Sequence, residues 1–126
     1  MLLDFTVSNY QCFRDEAQLS FVRPSLRTQT PKAPQTWEDV TYRVAALYGA
    51  NASGKSNLLD ALRYALIAIK SSASTWLGAP KFPRAPFALD PARLGDLSEY
   101  ELEFVSQGRR YIYRFSVDTE GIRDES

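Results

Sequence analysis

The chain has 126 residues and a mass of 14.2 kDa, room for one small domain with a modest core. Hydrophobic residues make up 44% and aromatics 13%, which excludes a disordered or collagen-like chain. Lys plus Arg and Asp plus Glu are each 15, which excludes a globally basic nucleic-acid coat.

All seven prolines fall between Arg23 and Trp37 or between Leu77 and Asp96, so both segments read as loops. They leave three structured blocks, 1–22, 44–70 and 97–118. In the first, Leu3, Phe5 and Val7 alternate with polar residues, and Ala17, Leu19 and Phe21 do the same after a turn over Asn9–Asp15. This predicts an antiparallel hairpin. In the second, Val44–Tyr48 is a short apolar run, as expected of a strand buried on both faces. A glycine-bounded loop follows, then a helix from Ser56 to about Lys70. Its apolar face is read from Leu58, Leu59, Leu62, Leu66 and Ile69, filled in by Ala61, Ala65 and Ala68, and alanines on so wide a face suggest close packing against a sheet. In the third, Tyr100, Leu102 and Phe104 and then Tyr111, Tyr113, Phe115 and Val117 alternate with polar residues around Ser106-Gln107-Gly108. This predicts a second hairpin with one aromatic and one charged face, on which Glu101 and Glu103 meet Arg110 or Arg114.

Gly49-Ala50-Asn51-Ala52-Ser53-Gly54-Lys55-Ser56 matches G-x-x-x-x-G-K-[ST] in full. Such a loop wraps a phosphate chain with backbone N–H groups, and its glycines give permissive dihedrals and close approach. The lysine reaches the β- and γ-phosphates, and the serine hydroxyl meets Mg²⁺. The candidate nucleotide-binding residues are therefore Gly49, Ala50, Asn51, Ala52, Ser53, Gly54, Lys55, Ser56 and Asn57. Lys55 is also the candidate catalytic residue, Ser56 the metal-binding one, and ATP and Mg²⁺ the expected ligands. The helix that starts here aims its N-terminal N–H groups at the same anion.

From Gly49 to Leu62 the sequence resembles the P-loop of ABC-type ATPases of the RecF and SMC branch. It is most similar to the AAA-type ATP-binding proteins of bacterial phage defence, such as the OLD-like and abortive-infection ATPases. Leu3–Arg14 resembles the same branch, where a first strand ends in Asn and an aromatic, with Phe shortly after. The Tyr111–Phe115 hairpin resembles its antiparallel β-insertion. The resemblance implies an α/β fold, the N-terminal lobe of an ABC-type P-loop NTPase, as an incomplete domain. It also implies that the turn after the first strand lies near adenine and ribose. Phe13 and Arg14 are the candidates there, with Asn9 and Tyr10 shaping the turn; the other reading makes Phe13 a core anchor and Arg14 a solvated turn residue.

Several parts of such an ATPase are not in the sequence. No apolar run after the P-loop helix ends in Asp-Glu, which would hold Mg²⁺ and activate water. Val117-Asp118 ends a strand, but its alternation belongs to an edge hairpin. A Ser-Gly-Gly signature, a switch histidine and a convincing Q-loop glutamine are absent. The chain is the N-terminal piece of a longer ATPase, one part of a split protein, or a short natural form; the first is favoured. The half-built sheet predicts an exposed edge and apolar patch, and hence self-association or a second ATPase or effector chain. The leading function is ATP·Mg binding in an ABC-type ATPase linked to DNA transactions or phage defence. The alternatives are a non-hydrolysing, nucleotide-gated scaffold and a small-molecule kinase or GTPase.

Arg23, Arg27 and Lys32 in the first loop and Arg109, Arg110 and Arg114 on the hairpin are either DNA phosphate contacts or solvated surface. One cysteine, Cys12, and no histidine exclude a disulfide framework, a Cys/His zinc site and His-based catalysis. The longest uncharged run, Val44–Gly54, is too short to span a bilayer, and no basic flank marks a secretory signal. A cytoplasmic location with a reduced thiol and no membrane partner is expected. Trp37 and Trp76 are expected to pin the two loops.

Overall fold

The computed structural model describes residues 1–23, 30–51, 53–71 and 84–126. Parts of both proline-rich segments, with Arg27, Ala52 and Trp76, lie outside the described residues.

Five strands form one antiparallel sheet: β1 (Leu2–Ser8), β2 (Ala17–Ser20), β3 (Ser98–Ser106), β4 (Arg109–Val117) and β5 (Ile122–Glu125). Their spatial order is β2-β1-β3-β4-β5. Alternation along β1 sets the faces: Leu3, Phe5 and Val7 are fully buried, and the residues between them are half-buried. Phe5 pairs with Leu19 on one side and Leu102 on the other, and Val7 with Ala17 and Tyr100. The β3–β4 hairpin turns on Gln107-Gly108, whose φ values of 51° and 75° suit a two-residue loop that matches strand twist. Tyr100 lies opposite Phe115 with rings stacked at 4.8 Å on the inner face. On the outer face Arg114 pairs with Glu101 and Arg110 with Glu103. β5 adds to the far side of β4, so β4 is an interior strand and not the edge expected from its alternation.

The 17-residue helix α2 (Lys55–Ser71) packs on the inner face through Leu58, Ala61, Ala65 and Ala68. The close packing of the alanines on a sheet is as the sequence suggests, and Leu58 is buried with them; the rest of the expected leucine face is corrected here. Leu59, Leu66, Ile67 and Ile69 are 40–53% exposed, and Leu62 is half-buried. The reason is steric. The sheet presents Phe5, Tyr100 and Phe115, and the methyl side chains of Ala61, Ala65 and Ala68 let the helix backbone approach them, with Leu58 buried at the helix start. The close approach brings Tyr64 onto Tyr100, stacked at 5.1 Å.

A short helix, α1 (Trp37–Val40), is capped at its start: the Asp39 carboxylate accepts the Thr36 N–H and hydroxyl, both at 2.8 Å. Trp37 packs on Leu3, Val22 and Val105 and so ties the first loop to the sheet.

Val44–Tyr48 is not the buried strand that its composition suggests. No ladder partner lies beside it among the described residues, and Val44 and Tyr48 are 82% and 91% exposed. A strand buried on both faces needs neighbours on both sides, and the antiparallel sheet supplies none here. Leu47 alone of this run packs against the core cluster.

Candidate functional site

The loop from Gly49 leads into α2, and Gly54 occupies the capping position, its carbonyl accepting the Leu58 N–H at 3.0 Å. The first-turn N–H groups of Lys55, Ser56 and Asn57 precede the first carbonyl that the helix can offer them. No acidic residue stands in that turn, and its first residue is a lysine. A cation at the positive end of a helix runs against the dipole. An anion from outside would relieve that local conflict.

The Lys55 ammonium donates to the carbonyls of Gly49 (2.7 Å) and Ala50 (2.6 Å) and to Ser53 Oγ (3.2 Å). These use its three donors. Lys55 and Ser53 thus close the loop on itself, and an arriving phosphate must take over donors from these oxygens. Ser56 is exposed, Asn57 half-buried and Asn51 exposed. Both glycines are needed sterically. A Cβ on Gly49 would lie 2.6 Å from Ser53 Oγ. Gly54 has φ +89°, and a Cβ there would lie 2.9 Å from Cys12 Sγ and 3.2 Å from the Phe13 ring.

This last contact joins the loop to the turn after β1. Tyr10 and Phe13 close the turn with reciprocal backbone hydrogen bonds of 2.9 and 2.8 Å. Phe13 packs on the core cluster as well as against Gly54, which is the core-anchor arrangement. Arg14 is 56% exposed and sits 3.5 Å from Asp90, an ion pair in a setting where such pairs are weak. Asn9 is the residue whose importance the sequence understates. It is buried at φ 49°, and its side chain bonds to backbone groups of the segment 87–97. Only a residue type tolerant of the left-handed region hints at this locally; the partners lie far along the chain.

Asp118 is the one acid placed directly after a core strand. Its carboxylate pairs with Arg123 and accepts the N–H groups of Glu120 (2.7 Å) and Gly121 (3.1 Å). The Arg123 contact first, then these amides, hold it below the usual carboxylate range. It is therefore engaged in its own turn. Beneath α2, burial is the main cause that pushes the phenols of Tyr10, Tyr64 and Tyr100 up, and the Tyr100 hydroxyl finds no partner among the described residues.

An apolar groove of about 380 Å³ borders the phosphate loop, lined by Leu19, Phe21, Leu47, Leu59 and Leu62 with Lys55 and Ser56 at its mouth. A groove of about 370 Å³ on the open sheet face carries Glu16, Glu99, Glu101 and Asp124, which repel a polyphosphate. Among the described residues no three His, Cys, Asp or Glu side chains cluster to hold a metal, and no helix is long and apolar enough to cross a membrane. A metal here would depend on Ser56, on ligand oxygens and on water. The donor set fits a magnesium-bound polyphosphate: one ammonium, acid-free helix-start amides, a free hydroxyl, and glycines where a Cβ would collide.

A glycine-bounded loop thus opens a helix with lysine at its first position, and a family match defines the class as P-loop NTPases of AAA type. Residues 44–126 match the family described as "AAA domain, putative AbiEii toxin, Type IV TA system", and the chain belongs to that family. No curated protein matches the chain.

Proposed function

We propose that the chain is an ATP·Mg-binding module of an ABC-type ATPase related to the RecF and SMC branch, working in bacterial anti-phage defence or DNA-linked processes. The observation that carries this is the acid-free start of α2, with the Lys55 ammonium held over the loop by Gly49, Ala50 and Ser53. Bound ATP·Mg supplies the phosphoanhydride and the metal's charge. The chain's own part is to bind and orient. Lys55 turns from the loop carbonyls to the β- and γ-phosphates, and Ser56 offers its hydroxyl to the metal shell. The N–H groups of the loop and first turn neutralise the remaining charge. Water-activating groups come from residues other than those described. The family name supports a toxin–antitoxin or abortive-infection setting.

A second reading, nucleotide binding without hydrolysis, draws support from Asp118, whose carboxylate is occupied by Arg123 and two amides. Nucleotide would then stabilise an assembly by linkage. Calorimetry with ATP·Mg on the wild type and Lys55→Ala tests the binding claim. Turnover above the Lys55→Ala background would reject the non-hydrolysing reading, and preference for GTP or phosphotransfer to a small molecule would favour the kinase or GTPase class.

Partner association is part of the proposal. The apolar groove is lined by Leu19, Phe21, Leu47, Leu59 and Leu62, and the neighbouring groove on α2 by Leu59, Leu62, Leu66 and Ile67, apolar surface of the kind that marks an interaction site. Self-association or a second chain would cover it, and a strictly monomeric, non-aggregating species in solution would count against this. DNA contact is the weaker partner proposal, because Arg110 and Arg114 are already paired with Glu103 and Glu101.

A further inference from the structure

We propose that Asn9 is a positioning residue for the phosphate loop: it locks the Tyr10–Phe13 turn against Gly54 and so sets how firmly the loop holds a triphosphate that Asn9 never touches. The inference rests on the ATP-binding reading above.

Asn9 is 1% exposed. Its Nδ2 donates to the carbonyls of Arg93 (3.0 Å), Asp96 (3.0 Å) and Leu97 (3.2 Å), and its Oδ1 accepts the Phe87 N–H at 3.1 Å. Its own carbonyl accepts the Ser98 hydroxyl at 2.7 Å. Only a side chain carrying both a donor and an acceptor meets this demand. A carboxylate of the same shape would set negative oxygen against three carbonyls.

The bonds cross from the start of the turn to the segment before β3. Gln11 adds a rung, its N–H donating to the Ala85 carbonyl at 2.7 Å. The turn is thereby tied down at its start and at Gln11, and the residues that follow, Cys12 and Phe13, bear on Gly54. Gly54 is the residue from which α2 starts. A turn free to shift would let Gly54 and the first-turn amides shift with it. Amides that must be ordered by the ligand bind it more weakly than amides already in place.

The test uses the full chain. ATP·Mg affinity is measured by calorimetry for the wild type, Asn9→Asp, Ser98→Ala and Lys55→Ala, each well below its own melting midpoint. The Gly54 amide resonance is followed by NMR without nucleotide. The proposal expects Asn9→Asp to bind about tenfold more weakly at neutral pH, with the Gly54 resonance displaced. As pH falls toward the ordinary carboxyl range, protonation of the introduced carboxyl restores a donor, and the gap to the wild type should narrow. Binding within about twofold of the wild type, with the Gly54 resonance unmoved, overturns the proposal. If Asn9→Asp does not fold, Ser98→Ala decides by the same two readouts: weaker binding with a displaced resonance supports the proposal, and wild-type behaviour overturns it. If the wild type binds no ATP·Mg, the ATP-binding reading fails and this inference with it. If Lys55→Ala alone loses binding, only the Asn9 inference fails.

Discussion

Replacing Gly54 by alanine perturbs the phosphate loop in two separable ways. The residue sits at φ +89°, where a Cβ brings a left-handed penalty of roughly 1–2 kcal/mol. The new methyl would also lie 2.9 Å from Cys12 Sγ and 3.2 Å from the Phe13 ring, and overpacking of this kind costs about 1–3 kcal/mol. Cys12 is exposed and can rotate away in part; Phe13 is packed against the core and cannot. The combined loss is about 3 kcal/mol, which for a chain of this size lowers the melting midpoint by roughly 10 °C. Urea denaturation followed by circular dichroism measures it. Adding Cys12→Ala to Gly54→Ala should recover about 1 kcal/mol, because it removes one clash and leaves the dihedral strain. Gly95→Ala is the control: nothing lies within 4 Å of its new methyl, and the change is near neutral or stabilising by about 0.5 kcal/mol. A Gly54→Ala protein within about 0.5 kcal/mol of the wild type would refute the turn-on-glycine contact and the link it makes between the turn and the loop.

Three further outcomes can be measured. Ala65→Leu should destabilise the fold by about 1–3 kcal/mol in denaturant titration, while Leu66→Ala stays within about 0.5 kcal/mol, since the alanine faces the sheet and the leucine is 46% exposed. The nucleotide role proposed for Arg14 rests on the family resemblance and not on a contact: it expects Arg14→Ala to weaken ATP·Mg binding in calorimetry with a nearly unchanged melting midpoint, and unchanged affinity would remove it. On the alkaline side, burial first and then Glu125 push the Tyr113 phenol up to about 12, and burial raises Tyr10, Tyr64 and Tyr100. The folded chain therefore holds these protons more tightly than the unfolded chain. The stability they contribute is fully present below the ordinary phenol pKa of ~10 and falls as pH rises through about 12. The phenolate absorbance of these four tyrosines should appear together with unfolding; their ionisation in the folded chain at ordinary phenol pH would contradict this.

The strands were legible because a half-buried strand writes its faces into the sequence with period two. Leu3, Phe5 and Val7 and then Tyr100 and Leu102 show this directly, whereas along β4 burial follows position in the sheet more than alternation. The loop from Gly49 into α2 was legible because its motif fixes residue types at fixed spacing and ends where a helix begins. The helix face was legible in part: its alanines signalled close packing on a sheet, but the spacing also enrolled Leu59, Leu66 and Ile69, which the structure leaves exposed while Ala61, Ala65, Ala68 and Leu58 meet the aromatic floor. Val44–Tyr48 misled because composition reports a capacity for burial and says nothing of the neighbours that would provide it. Asn9 was legible only as a turn residue, because its partners from Phe87 to Ser98 are brought to it by the pairing of β1 with β3.

The central claim concerns anion capture by the loop from Gly49 to Ser56. Isothermal titration of the folded chain with ATP·Mg, beside Lys55→Ala at the same protein concentration, tests it most directly. The account predicts saturable heat for the wild type and its loss, or weakening by at least about a hundredfold, in the variant. No heat from the wild type, or equal affinity in both proteins, would contradict it.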